Sequence, residues 1–363
     1  MRNLLEFVGF AGSFVRKDAP RLATLELTRF CNRRCSYCQV PTLYNPETEL
    51  TVDESKQVIG QVGKWGFRIL SIIGGEPLAD AMNKEGVSHR EHTLHAARHA
   101  AVKGMFVSIT SNGDYLDEAL LKRMSEAGVR SLILSLHTYR KAALDSLIKK
   151  AITAREKGII PCIFCIFTES NTEYLLGISS YVISKGLLFG VGIYQDYATG
   201  LRTKRTNAIP SPEQQRFVFD AAMELKPCGL IRTNRNYLRQ APELYPNNWK
   251  CNPDRNVYLH VGPEGTLNVC GNVRTDIKVL EIDSLQELKW RETKRELIKH
   301  CGNCLHQCLF EVENPDPIGD IPTFLIGSMM ALGQHKLVER WGAWWASLIA
   351  ARDSKVDWSL KLK

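Results

Sequence analysis

Between residues 22 and 194 the chain alternates six short apolar runs, at 22–28, 68–73, 105–110, 131–136, 161–167 and 187–194, with longer amphipathic segments. Short apolar runs bounded by turn residues predict strands, and segments with apolar residues at helical spacing predict helices between them. One of these helices begins Thr51-Val52-Asp53-Glu54, a capping box, and lays Val58, Ile59, Val62 and Trp65 on one face. Parallel neighbours in a sheet need a crossover, so repeated strand–helix units predict an α/β fold built on a parallel sheet. In such sheets chemistry gathers at the carboxyl ends of the strands.

Those ends carry unusual residues. After the first run stands Cys31-Asn32-Arg33-Arg34-Cys35-Ser36-Tyr37-Cys38, three thiols spaced C-x3-C-x2-C. Four cysteines would close a zinc or iron–sulfur site, whereas three on one loop leave a [4Fe-4S] cluster with one iron free for a small-molecule ligand. A zinc site completed by a ligand from elsewhere is the alternative on spacing alone. After the second run comes Gly74-Gly75-Glu76-Pro77, some 36 residues past the last thiol. Its glycines let the backbone approach a ligand closely, and Glu76 offers a carboxylate to an ammonium group. Thr110-Ser111-Asn112-Gly113 and Ser135-Leu136-His137 close the third and fourth runs with small polar side chains suited to a nucleoside ligand.

Together these motifs resemble the radical S-adenosylmethionine (SAM) enzymes, whose cysteine signature has this spacing with an aromatic residue, here Tyr37, before the last thiol. The resemblance implies a partial (β/α)6 TIM barrel over about residues 20 to 200. It also implies a SAM-binding 4Fe-4S cluster on Cys31, Cys35 and Cys38, with SAM contacts at Tyr37, Gly74, Gly75, Glu76, Ser111, Asn112 and Ser135. In the family, reduction of SAM yields methionine and a 5′-deoxyadenosyl radical that abstracts hydrogen from substrate, and a flavodoxin or ferredoxin supplies the electron. At the fourth strand His137 and Thr138 stand where the family's Ser-Leu-Asp-Gly pattern has Asp and Gly. A strand-end histidine there reads as structural.

Beyond residue 200 the alternation stops and basic clusters appear at 202–205 and 232–239, with a helix start at Ser211-Pro212. A hairpin follows at 257–261 and 266–270, turned by Gly262-Pro263-Glu264-Gly265. Around it lie Cys251, Cys270, Cys301, Cys304 and Cys308, in the pattern C-x13-G-x4-C, a gap, then C-x2-C-x3-C. A zinc ribbon is one reading of a hairpin thiol facing a distant C-x2-C. Resemblance to the SPASM or shorter twitch extensions implies auxiliary 4Fe-4S clusters instead. Five cysteines are fewer than a full SPASM extension carries, so one auxiliary cluster is expected, on Cys251, Cys270, Cys301 and Cys304, with Cys308 as the substitute. The expected divisions are 1–20 for an amphipathic helix, 21–205 for the barrel, 206–315 for the auxiliary-cluster domain and 316–363 for a helical tail.

Length and composition set the outer bounds. With 363 residues and 44% hydrophobic content the chain can bury one large core. Its eleven cysteines are too few and too clustered for a secreted disulfide scaffold, which predicts a cytoplasmic protein. The first segment, with Leu4, Phe7, Val8 and Phe14 followed by Arg16-Lys17, lacks the pattern of a signal peptide and reads as a helix on the barrel. The final segment carries a stripe of Leu337, Val338, Trp341, Trp344, Trp345, Leu348 and Ile349. Docking on the barrel is the expected outcome, and peripheral membrane contact is the alternative for both ends. A net charge of +8 without a recognisable nucleic-acid module favours an acidic electron donor over nucleic acid.

The substrate is the least defined part. No peptide-recognition segment precedes the barrel, so a small molecule is expected, ahead of a lipid, isoprenoid or peptide. Tyr194, Asp196 and Cys228 are candidates for substrate contact. His92, His95 and His99, at roughly helical spacing in a polar segment, are expected on a solvated face. Cys162 and Cys165 are expected as buried free thiols, because an offset of three in a strand points them to opposite faces.

Overall fold

The computed structural model describes residues 18–35, 38, 40–137, 139–194, 209–244, 249–299, 301 and 304–352. The expected N-terminal helix, the basic cluster at 202–205, Tyr37, Thr138 and Asp196 lie outside them. Six strands run parallel in an open sheet: β1 Leu22–Thr28, β2 Ile69–Gly74, β3 Phe106–Ser111, β4 Val129–Leu136, β5 Ile160–Phe167 and β6 Leu188–Ile193. The order β6-β5-β4-β3-β2-β1 is that of six consecutive β/α units, the parallel sheet expected from the alternation and the partial barrel that the resemblance implies. Crossovers are α1 Val52–Lys64, α2 His89–Val102, α3 Glu118–Glu126, α4 Lys141–Glu156 and α5 Leu175–Ser184. The Thr51/Glu54 capping box starts α1, which buries Val58, Ile59 and Val62.

The hairpin joins this sheet. β7, Tyr258–Val261, pairs parallel to β1, and β8, Leu267–Asn268, pairs antiparallel to β7. At the opposite edge Ile231 bridges Phe189 of β6, and Thr233 Oγ1 receives the Val191 N–H at 2.7 Å. Between the two edges stands α9, Gln307–Glu313, the ninth helix after α6 Pro212–Leu225, α7 Arg235–Leu244 and α8 Trp290–Lys299. Gln307 donates to Val191 O at 3.0 Å on one side, and Arg21 donates to Val312 O at 2.6 Å on the other. One short helix therefore walls the gap in the open barrel.

Inside, one layer of the sheet is hydroxylic. The strand register aligns His260, Thr24, Ser71, Ser108 and Ser131 side by side on β7, β1, β2, β3 and β4. Barrel interiors are usually filled by bulky branched residues. Small side chains in that layer leave instead a cavity of about 550 Å³, which all five of these residues line.

Two expectations change here. His92 is buried and hydrogen-bonded to Ser55 Oγ at 2.8 Å, because α2 packs on α1 through a face of alanines and histidines; only His95 is fully exposed. The C-terminal stripe divides between two faces of α11, His335–Arg352, which follows α10, Ile321–Ala331. Val338, Trp345 and Ile349 pack on the core, and Gly342 lies so close to α5 that a Cβ there would meet Ile183 O at 2.0 Å. Leu337, Trp341, Trp344 and Leu348 stay exposed. No described helix is long and apolar enough to cross a membrane.

Candidate functional site

β1 ends at Thr28 and delivers the loop of Cys31, Cys35 and Cys38 to the carboxyl edge of the sheet. The thiols feel one another: burial raises the pKa of Cys35, and the charges of Cys38 and Cys31 raise it further. Burial likewise raises Cys31, against the Arg33 N–H that its sulfur accepts at 3.4 Å. Two desolvated thiols beside a third form a group that a cationic iron centre would stabilise as thiolates. His137 Nδ1 sits 3.6 Å from Cys35 Sγ, and burial depresses the His137 pKa to about 4.

The loop is locked to its neighbours. Arg33 and Asn32 both bond the Asp114 carboxylate, and Asn112 donates to Asn32 Oδ1 at 2.8 Å. At the end of β2, Gly75 is packed so tightly that a Cβ would lie 2.0 Å from Phe30 O, which explains glycine at that position. Glu76, fully buried, accepts from Leu78 N (3.1 Å), Ser111 Oγ (2.8 Å) and Asn112 N (2.7 Å). Burial still raises its pKa beyond what these bonds lower it. Ser111 and Asn112 thus hold the Glu76 carboxylate, and Ser135 lies half-buried on β4.

The second thiol group is also drawn together. Cys304 is raised by a hydrogen bond with Cys301, by burial and by the charges of Cys270 and Cys251, so the four thiols lie near enough to feel one another's charge. Cys251 is raised chiefly by burial, then by Cys270. Cys308 points elsewhere. Four residues past Cys304, it lies in the first turn of α9 and lines the barrel cavity, where burial and Glu311 push its thiol up to about 11 against the Arg232 charge. It is enclosed by protein yet exposed on the cavity that it lines. Among the described residues no three His, Cys, Asp or Glu side chains are placed to hold a single metal ion. A cluster instead distributes its thiolates over separate irons.

Residues 25–159 match the Radical SAM superfamily. That stretch is a radical SAM domain. Among curated relatives, the AdoMet-dependent heme synthase of Methanosarcina barkeri is 35% identical over 120 residues, 33% of this chain and 32% of that protein. The Fe-coproporphyrin III synthase of the same organism is 25% identical over 256 residues, 66% of this chain and 61% of that protein. The chain therefore spans about a third and about three-fifths of these two relatives' lengths. The solved structure of native anSMEcpe with bound AdoMet and the Cp18Cys peptide superposes with a TM-score of 0.58 at 15% identity, covering 88% of this chain and 99% of that one, a likeness of fold.

With a radical SAM domain over residues 25–159 the chain is expected to use SAM and 4Fe-4S clusters, and its strand-end residues fit them. Three thiols share one loop, a buried carboxylate follows on the next strand, and the glycine beside it leaves no room for a side chain.

The remaining candidates scatter. Tyr194 is buried beside β6, and its N–H donates to Phe167 O. Cys228 sits in the core away from the cavity, its sulfur accepting from Leu230 N at 3.2 Å. Cys162 and Cys165 are buried, free and on opposite faces of β5, Cys165 bonding Tyr139. Sequence reasoning missed the charged lining of the cavity. Glu26 is held below the usual carboxylate range because His260, Arg274 and Arg29 together outweigh its burial. A carboxylate in the otherwise apolar run Leu22–Thr28 was the signal available for it.

Proposed function

We propose that the chain binds SAM at a 4Fe-4S cluster on Cys31, Cys35 and Cys38 and abstracts hydrogen from a small molecule seated in the barrel cavity. The observation that supports this reading is a cavity of about 550 Å³ lined by the inward residues of β1 to β6 and by Gly74, on the same strands whose ends lead into the three-thiol loop and Glu76. That volume lies in the range of small-molecule sites. When bound, the cluster and SAM supply a one-electron cleavage that ends in hydrogen-atom abstraction from substrate. The chain's own residues bind and exclude. Glu76 presents a fixed carboxylate for the SAM ammonium, Gly74 and Gly75 let the end of β2 close on the Thr28–Phe30 backbone that leads into the thiol loop, and Ser135 and Tyr37 complete the contacts. The α9 wall keeps bulk water from the cavity.

In this reading Cys251, Cys270, Cys301 and Cys304 hold one auxiliary 4Fe-4S cluster, which accepts the substrate's second electron in an oxidation. The donor is an acidic flavodoxin or ferredoxin, and the site of action is the cytoplasm. The test is anaerobic reconstitution followed by dithionite and SAM. Formation of 5′-deoxyadenosine, abolished in the Cys31→Ala/Cys35→Ala/Cys38→Ala variant, is the expected result. Its absence from wild-type protein with an intact cluster would reject the proposal.

A further inference from the structure

Most charged side chains that line the cavity have partners. Arg274 reaches Glu26 at 3.2 Å, Lys226 reaches Asp320 at 2.7 Å, and Asp316 accepts Gly319 N at 2.9 Å. Arg232 and Glu311 differ. The Arg232 guanidinium lines the cavity with no hydrogen bond and no ion pair among the described residues. Its backbone is rigid: Arg232 N donates to Phe189 O at 2.8 Å, and Lys226 Nζ bonds the carbonyls of Ile231 and Thr233 on either side, each at 2.8 Å.

Glu311 comes from the facing wall. Its Oε1 accepts from Asn234 N at 3.1 Å and from Gln307 Nε2 at 3.0 Å, while no donor among the described residues reaches Oε2. Asn234 lies two residues beyond Arg232, so the cation and the carboxylate are neighbours across the cavity and feel each other's charge. They nevertheless do not touch: no ion pair forms between them within 4.0 Å. Opposite charges in a walled, low-dielectric space attract strongly, and a fixed gap between them leaves room for a group that answers both. The cavity has another unanswered polar atom, Ser108 Oγ, which is buried and unpartnered.

We infer that Arg232 and Glu311 form a split ion pair that receives a zwitterion, the carboxylate of an α-amino acid on the guanidinium and its ammonium on Glu311. Arginine's planar fork suits a carboxylate bidentately, and Glu311 Oε2 is the free acceptor for the ammonium. The inference names a substrate class for the cavity and so rests on the proposed function for its catalytic meaning.

The probe is a panel of free L-amino acids, each with its N-acetyl and carboxamide forms, titrated calorimetrically into the anaerobically reconstituted protein. At least one free amino acid should bind, with both blocked forms at least tenfold weaker. Arg232→Gln should lose tenfold or more, Arg232→Lys should lose less, and Glu311→Gln should abolish the preference for the free amine over the N-acetyl form. Circular dichroism and iron content check that each variant is folded and loaded. Failure of every free amino acid to bind wild-type protein, or equal binding of the blocked forms, overturns the inference without recourse to any variant. Binding as predicted in a protein that forms no 5′-deoxyadenosine would leave the inference standing and remove the radical reaction. Formation of 5′-deoxyadenosine without amino-acid binding does the reverse.

Discussion

Replacing Lys226 by methionine tests how the segment carrying Arg232 is held. Lys226 is almost wholly buried, and its ammonium donates to Ile231 O, Thr233 O and Thr323 Oγ1 while pairing with Asp320 at 2.7 Å. Burial lowers the Lys226 pKa and raises that of Asp320, so desolvation pulls both partners toward neutrality against their mutual attraction. Such a pair adds little over an apolar replacement of both members, but removal of one member strands the other. Breaking a buried pair in this way costs about 3–5 kcal/mol. Asp320 keeps bonds from Asn234 Nδ2 at 2.9 Å and Arg235 N at 3.3 Å, which places Lys226→Met toward the lower end of that range. The double variant Lys226→Met/Asp320→Leu should be less destabilised than the sum of the single variants, with a coupling on the order of 1–3 kcal/mol. Urea unfolding followed by tryptophan fluorescence, on protein of equal iron content, measures all four corners of the cycle. A cost below about 1 kcal/mol for Lys226→Met, or strict additivity in the double variant, would refute the reasoning.

Acid should act on the two buried histidines of α2, His89 and His92. His92 is depressed to about 4 by burial, so between pH 6.5 and 4 the unfolded chain takes up a proton that the native state refuses, and stability falls as pH falls through that window. The full loss from His92 is up to about 3 kcal/mol at ~1.36 kcal/mol per pKa unit; because His89 and His137 are depressed to about 4 as well, His92→Gln should reduce the slope of apo-protein stability over that range by about a third, and an unchanged slope counts against it. Gly342→Ala should lower the melting temperature despite its gain of about 1 kcal/mol in helix propensity, because the new Cβ would meet Ile183 O at 2.0 Å. The exposed Trp344→Glu should stay within about 0.5 kcal/mol of wild type, and the opposite ranking would mean that α11 docks differently. Iron analysis should give about eight irons per fully loaded chain and about four after Cys31, Cys35 and Cys38 become alanine; a folded triple variant with no cluster would show the auxiliary ligands to be misassigned.

Strand positions were legible because each run keeps an apolar outward face for the helices to cover, as with Ala23, Leu25 and Leu27 on β1 and Val107 and Ile109 on β3. β1 coincides with its sequence run, and the capping boxes at Thr51 and Ser211 mark two helix starts. The thiol loop and the Gly74-Gly75-Glu76 turn were legible as local patterns. What was not legible depends on register or on distant partners. The row of Thr24, Ser71, Ser108 and Ser131 becomes one belt only after four strands are aligned, since each hydroxyl alone is an ordinary strand residue. His92 was read as solvated because α2 buries small alanines beside its histidines, which leaves little apolar contrast in the sequence. Cys308 has a ligand-like spacing from Cys304, but the helix that begins at Gln307 carries its thiol into the cavity. The pairing of β7 with β1 is non-local, and no turn signal announces it.

The account rests on SAM binding at the cluster of the three-thiol loop, and low-temperature electron paramagnetic resonance of the dithionite-reduced protein, with and without SAM, tests it most directly. SAM should change the signal of the reduced wild-type protein. The variant lacking Cys31, Cys35 and Cys38 should keep a signal from its remaining irons that SAM leaves unaltered. A wild-type signal indifferent to SAM, or a SAM-responsive signal in the triple variant, would contradict the account.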